Sequence, residues 1–170
     1  NPSYPPHPQY PIELNINYSV IDQFQSVISV MLPLLEDADD KGKPVLIESA
    51  VAVRLVDCLK NRFAFCRKTL RWYAFVDTHW EGLTAPIVDE VVTQLLYAGA
   101  PHGFKARTLA AIVSLLTKGL LPLPVTAAAD TRLIPFTNGL LDPITRILTP
   151  ITPDNALTWS LPYAYDPTVS

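Results

Sequence analysis

The stretch "SVIDQFQSVISVMLPLL", Ser19 to Leu35, decides how the fold is read. Its apolar residues stand at Val20, Ile21, Phe24, Val27, Ile28, Met31, Leu34 and Leu35, three and four apart, which is the stripe of an amphipathic helix. Ser19 is placed to cap the first turn and Pro33 to fray the last.

Before this stretch, Asn1 to Pro11 carries five prolines and two tyrosines. That composition favours polyproline II, so residues 1–18 read as a proline-rich linker from something upstream. After it, the acidic loop "EDADD" leads to Pro44 and a second helix running to about Asn61, with Leu46, Ala50, Val53, Val56 and Leu59 on its buried stripe. A third helix starts at Thr84, turns Ile87, Val88, Val91, Val92, Leu95 and Leu96 inward and ends before Gly99. A fourth runs from about Phe104 to Lys118, with Leu109, Ile112, Val113 and Leu116 on one face and Gly119 as its stop. "LLPLPVTAAAD" is a connector.

Between the second and third helices the period changes. "FAFC", "RWYAFV" and "HWEGL" are aromatic-rich and read as a short hairpin carrying Trp72, Tyr73, Phe75 and Trp80. "LIPFTNGLLDPITRILTPITP", Leu133 to Pro153, has too many prolines for a helix; Asn138-Gly139 supplies the positive φ angles of one tight turn and Asp142-Pro143 opens another. Four helical stripes must pack on one another. The expected fold is therefore mainly α, a helical bundle with small β-hairpin (winged) additions and an α+β C-terminal third. Residues 1–18 are linker, 19–131 the bundle with its aromatic hairpin near 71–81, and 132–170 a hairpin-like wing and connector.

At 170 residues, 49% apolar and only 17% charged, the chain is an ordered domain with a charge-poor surface, some of it expected to meet another domain or chain. No run of eighteen apolar residues marks a membrane span, and two cysteines are too few for a disulfide scaffold, so the cytoplasm is the expected compartment. Net charge is −3, but the signs separate. From Lys60 to Val76 there are five bases (Lys60, Arg62, Arg67, Lys68, Arg71) and no acid; from Val91 to Ala129 there are three (Lys105, Arg107, Lys118), again with no acid. Such clusters are either solvated faces or phosphate contacts. The aromatic cluster is likewise either core or a base-stacking platform beside Arg67, Lys68 and Arg71.

Catalytic signatures fail. Asp37 stands where a P-loop before Gly42-Lys43 requires glycine. His79-Trp80-Glu81 has the His-x-Glu of zinc deaminases without the Pro-Cys-x-x-Cys that completes them. Asp37-Ala38-Asp39 has the spacing of a metal-binding carboxylate pair but lacks a third acidic strand. No Gly-x-Ser-x-Gly elbow occurs.

Two phrases carry a family resemblance. "RWYAFVDTHWEG" resembles the aromatic strand and turn of the helical domain that precedes the superfamily 3 helicase in poxvirus, phage and plasmid DNA primase-helicases. "LIPFTNGLLDPITRILTPITPDNALTWSLPYAYDP" resembles that family's second hallmark: Phe136, Asn138, Gly139, Leu141 and Asp142 match, then Thr152, Pro153 and Asp154, then Pro162, Tyr163, Tyr165, Asp166 and Pro167. The likeness spans roughly Ser49 to Pro167. Val76-Asp77-Thr78 lacks the glycine often found in the first turn and Arg146 stands where a second glycine is frequent, so both turns are expected to differ in type.

The resemblance implies a non-catalytic domain of a replicative primase-helicase that binds or guides template DNA and links primase to helicase. Its implied partners are single-stranded DNA, the adjacent primase and helicase domains and, in the full-length protein, further copies of itself; no membrane is involved. ATP and Mg are implied for the parent protein, with no cofactor in this piece. Charge clustering nominates Arg62, Arg67, Lys68, Arg71, Lys105 and Arg107 as phosphate contacts, with Trp72 or Trp80 stacking on a base. The alternative is an oligomerisation collar without DNA affinity of its own.

Overall fold

The computed structural model describes residues 8–18, 24–84, 86–124, 133–155 and 157–168. Gln9–Tyr18 (β1) and Phe24–Pro33 (β2) are the arms of one antiparallel hairpin, where linker and helix were the expectations from sequence. Ser19, Val20 and Ile21 of the expected helix, residues 1–7 of the linker and 125–130 of the connector lie outside the described residues.

The helical reading fails because its stripe puts Val27 and Met31 inside, and both are exposed. The strand instead turns Ile28, Val30 and Leu32 inward at period two, opposite Leu14, Ile12 and Tyr10. Ile12-Glu13-Leu14-Asn15-Ile16-Asn17 alternates apolar and polar without a break, and this partner decides the matter. Pro11 costs the ladder nothing. Backbone groups of the odd-numbered β1 residues face away from β2: those of Asn15 bond the Gln94 side chain, its N–H reaching Oε1 at 3.0 Å and its C=O accepting from Nε2 at 2.7 Å. Pro11 shares that outward phase, so its missing N–H has no partner to lose.

The chain divides into two compact units, Asn1–Lys60 with Thr84–Leu121 and Asn61–Leu83 with Pro122–Ser170. In the first, Asp37–Ala38 (β3) and Pro44–Val45 (β4) make a small hairpin, followed by helices Glu48–Leu59 (α1), Pro86–Gly99 (α2) and Ala106–Leu116 (α3). Helix α1 turns Val51, Ala52, Leu55, Cys58 and Leu59 inward, so the expected stripe through Val53 was out of phase. The β1–β2 hairpin packs on α1 and α2, and α3 closes on both helices. The core holds Leu14, Leu32, Leu35, Leu55, Leu59, Leu95, Leu96, Ile112 and Leu116, all essentially inaccessible to water. Gly99 is where α2 meets the strand end: a Cβ there would sit 2.6 Å from Leu35 Cγ.

In the second unit, Phe63–Cys66 (β5), Arg71–Phe75 (β6) and Trp80–Gly82 (β7) form an antiparallel meander. Ile134–Phe136 (β8), Gly139–Leu141 (β9) and Leu148–Thr149 (β10) form another. The architecture is thus α+β, with three helices and four small sheets among the described residues, and the mainly α bundle is corrected. No helix of the described residues is long and apolar enough to cross a membrane.

Candidate nucleic-acid interface

The two phrases that carried the resemblance meet at Trp80. Its ring N–H donates to Pro153 O at 2.8 Å and its backbone N–H to Leu157 O, and the side chain is 1% exposed. Phe136 packs against the rings of both Tyr163 and Tyr165, at centroid distances of 5.9 and 5.4 Å. Asn138 does not take the positive φ expected of it. Its side-chain amide clamps the exit segment: Oδ1 accepts from Tyr165 N at 2.8 Å and Nδ2 donates to Tyr165 O at 3.1 Å. Gly139 alone supplies the unusual backbone, φ +151°, and a Cβ on it would lie 2.6 Å from Thr149 O. Phe136, Asn138 and Gly139 thus hold the exit segment and the β9–β10 pairing in place.

The two turns expected to differ in type each hold one residue in the left-handed region that glycine favours. Asp77 has φ +70° and Arg146 φ +60°. Asp142 stabilises the second of these loops, its carboxylate accepting from Ile144 N at 2.9 Å.

Of the eight nominated contacts, Arg62, Arg67, Lys68, Arg71, Trp72 and Trp80 belong to the β5–β7 meander, and Lys105 and Arg107 to the start of α3 in the other unit. Trp72 is 7% exposed and packs edge-on against Phe65 at 5.2 Å. With both indoles buried, neither offers an open face to a base; they are the floor under the basic hairpin. Arg67, Lys68 and Arg71 are exposed on the β5–β6 turn and strand, and form no ion pair among the described residues. The Arg71 guanidinium lies over Gly82 of β7, where a Cβ would come within 3.1 Å of its Cζ. Glu81, the acid on that strand, is engaged by His79 Nε2 at 2.6 Å, while Thr78 Oγ1 lies 2.8 Å from Nδ1. The His-x-Glu pair thus has a structural use.

The turn "CRKTLR" carries two features that charge counting passed over. Hydrogen bonds from the Thr69 hydroxyl and backbone N–H, helped by Lys68, hold the Cys66 thiol below its ordinary range against the opposing effect of burial. Leu70 stands on the same turn, 75% exposed and with φ +56°. The signal for it in the sequence is a lone apolar residue inside a basic turn.

The acidic loop is also accounted for. Glu36, 8% exposed, accepts from His102 N at 3.0 Å and lies 2.8 Å from His102 Nδ1. Asp37 pairs with Arg54 at 2.8 Å, and Asp39 Oδ1 accepts from Lys41 N and Lys43 N. Among the described residues no group of three His, Cys, Asp or Glu side chains is arranged to hold a metal ion.

Residues 52–170 match the family described as D5 N terminal like. No curated protein matches the chain.

Proposed function

The chain belongs to the D5 N terminal like family, a domain found in D5-type primase-helicase proteins, and from that premise we propose that it binds template DNA beside a primase and a superfamily 3 helicase. The observation that carries this reading is the exposed trio Arg67, Lys68 and Arg71, without an ion pair among the described residues, on a hairpin braced by Trp72 and Trp80. Three guanidinium or ammonium groups on one turn and the strand start that follows it suit the spaced phosphates of a strand, and Arg62 at the foot of β5 extends the track. Lys105 and Arg107 add a second basic point at the N-terminus of α3, where backbone N–H groups also favour anions. Single-stranded DNA is the proposed ligand. ATP and Mg serve the parent's helicase domain, and the domain works in the cytoplasm as part of an oligomeric protein that joins primase to helicase.

Anisotropy of a labelled single strand, titrated at several salt concentrations, tests this. Each phosphate contact contributes a log–log slope of about −0.7. Reversing Arg67 and Arg71 to Glu is expected to weaken binding and flatten the slope; unchanged affinity in that double variant refutes the assignment.

One observation favours the second reading, an oligomerisation collar. Ile144, Ile147, Trp159 and Tyr163, all in the C-terminal part of the second unit, are exposed. Light scattering across a concentration series discriminates: association that Ile147→Ser abolishes supports the collar, and a monomer at every concentration counts against it.

A further inference from the structure

Leu70 is the most exposed large apolar side chain among the described residues, at 75%, and it holds a left-handed backbone with φ +56°. Both properties run against ordinary preference. A leucine gains nothing from water, and a side chain with a Cβ is disfavoured in this region, which glycine, asparagine and aspartate tolerate better. Among the described residues three other non-glycine residues have positive φ; two of them, Asn61 and Asp77, are of the tolerant types, and Arg146 is polar. Strain of this kind persists where neighbouring structure fixes it. Here the Phe65–Trp72 edge contact and the Cys66–Arg71 register fix both strand ends, and Thr69 is hydrogen-bonded to Cys66.

The geometry points to Leu70 as an apolar wedge that packs on the end of a DNA duplex, so that the hairpin recognises a single-strand/double-strand junction. The inference rests on the proposed DNA contact by Arg67, Lys68 and Arg71, which flank Leu70 on the same turn. Their charges draw phosphates to both sides of the tip, leaving the apolar side chain facing bases. Leucine is among the side chains that insert at base steps. Entering the middle of a duplex requires unstacking, which one leucine cannot offset. The terminal pair at a junction already exposes a flat apolar face, and covering it needs no unstacking. A bare single strand offers no such fixed face, so the wedge adds affinity only at a duplex end, and the basic residues beside it favour an end from which a single strand runs on.

The test compares the full chain with Leu70→Asn and Leu70→Met on two labelled DNAs: a single strand, and a forked duplex carrying the same single strand, with 2-aminopurine in the terminal pair. Asparagine accepts the left-handed backbone, so that variant is expected to keep its fold, as thermal unfolding will verify. The wild-type chain should bind the fork about tenfold tighter than the single strand, the gain from burying much of one leucine, and leave the 2-aminopurine quenched, since the terminal pair stays stacked; brightening would mean that the pair is opened instead of covered. Leu70→Asn should lose the preference while its single-strand affinity stays the same; Leu70→Met should retain the preference. Equal wild-type affinity for the two DNAs, or a preference that survives Leu70→Asn, overturns the wedge and leaves the basic contact standing. Failure to bind either DNA at low salt overturns both.

Discussion

Asp77 and Arg146 hold positive φ with side chains that gain nothing from it in the described contacts, at positions where related sequences were expected to use glycine. The cost of a left-handed L-residue is about 1–2 kcal/mol, and the extra freedom glycine brings to the unfolded chain returns part of it. Asp77→Gly and Arg146→Gly should each raise stability by roughly 0.5–1 kcal/mol in denaturant unfolding. A loss of stability in both would show that the side chains do more than occupy the turn. The turn positions were legible from spacing, but the backbone was not: nothing in Val76-Asp77-Thr78 or around Arg146 announces that a residue with a Cβ takes the left-handed region there. Cys66 offers a second test. Its thiol is held low by Thr69 and Lys68, while Cys58 is buried and donates to Met31 O at 3.4 Å. Because the thiolate is the nucleophile, a lowered pKa leaves more of it at neutral pH. Iodoacetamide should therefore modify Cys66 well before Cys58, and Thr69→Val, which removes the hydroxyl donor, should slow that reaction. Equal rates in wild type and Thr69→Val would separate Cys66 reactivity from the Thr69 bond.

The helices were readable because their stripes are long and their ends punctuated. Helix α2 occupies Pro86–Gly99 and α3 Ala106–Leu116, close to the spans their periodicity gives. The β1–β2 hairpin was not, because Ser19–Leu35 satisfies a helical stripe and a strand alternation at once, and the prolines at the chain start hid the partner that breaks the tie. What secures the strand is also remote in sequence. Gln94 of α2 bonds both backbone groups of Asn15, and Tyr10 Oη donates to Ala98 O. Gln94 thus closes part of a sheet edge that would otherwise invite pairing with another chain. Gly99→Ala should destabilise by about 1–3 kcal/mol although alanine is the better helix former, because the methyl group has to displace the buried Leu35. An unchanged or raised melting temperature would mean that Leu35 moves aside freely. The aromatic pattern pointed to a hairpin near 71–81, where the structure has a three-stranded meander over residues 63–82, and it left the fate of the tryptophans open: an indole for stacking and an indole for core look alike until Pro153 supplies the acceptor.

At the scale of the molecule, the family match begins at residue 52, beyond both β1 and β2, yet the first unit buries Leu14, Ile16, Val30 and Leu32 from that hairpin. A chain cut to residues 52–170 should accordingly lose cooperative unfolding of the first unit and bind an apolar dye. Cooperative melting at the full chain's temperature would show that the hairpin is dispensable. Periodicity cannot reveal this dependence, since it reports which face of an element is apolar and not which other element covers it.

The interleaving of the two units also sets an order of events during synthesis. The first unit has all its segments once Leu121 has left the ribosome, whereas the β5–β7 meander, made earlier, is still without its cover. Trp80 waits for Pro153, 73 residues later, before its ring N–H finds an acceptor. A nascent chain paused in that interval presents an uncovered indole beneath a basic turn. That interval is when a chaperone would have most to gain by binding it.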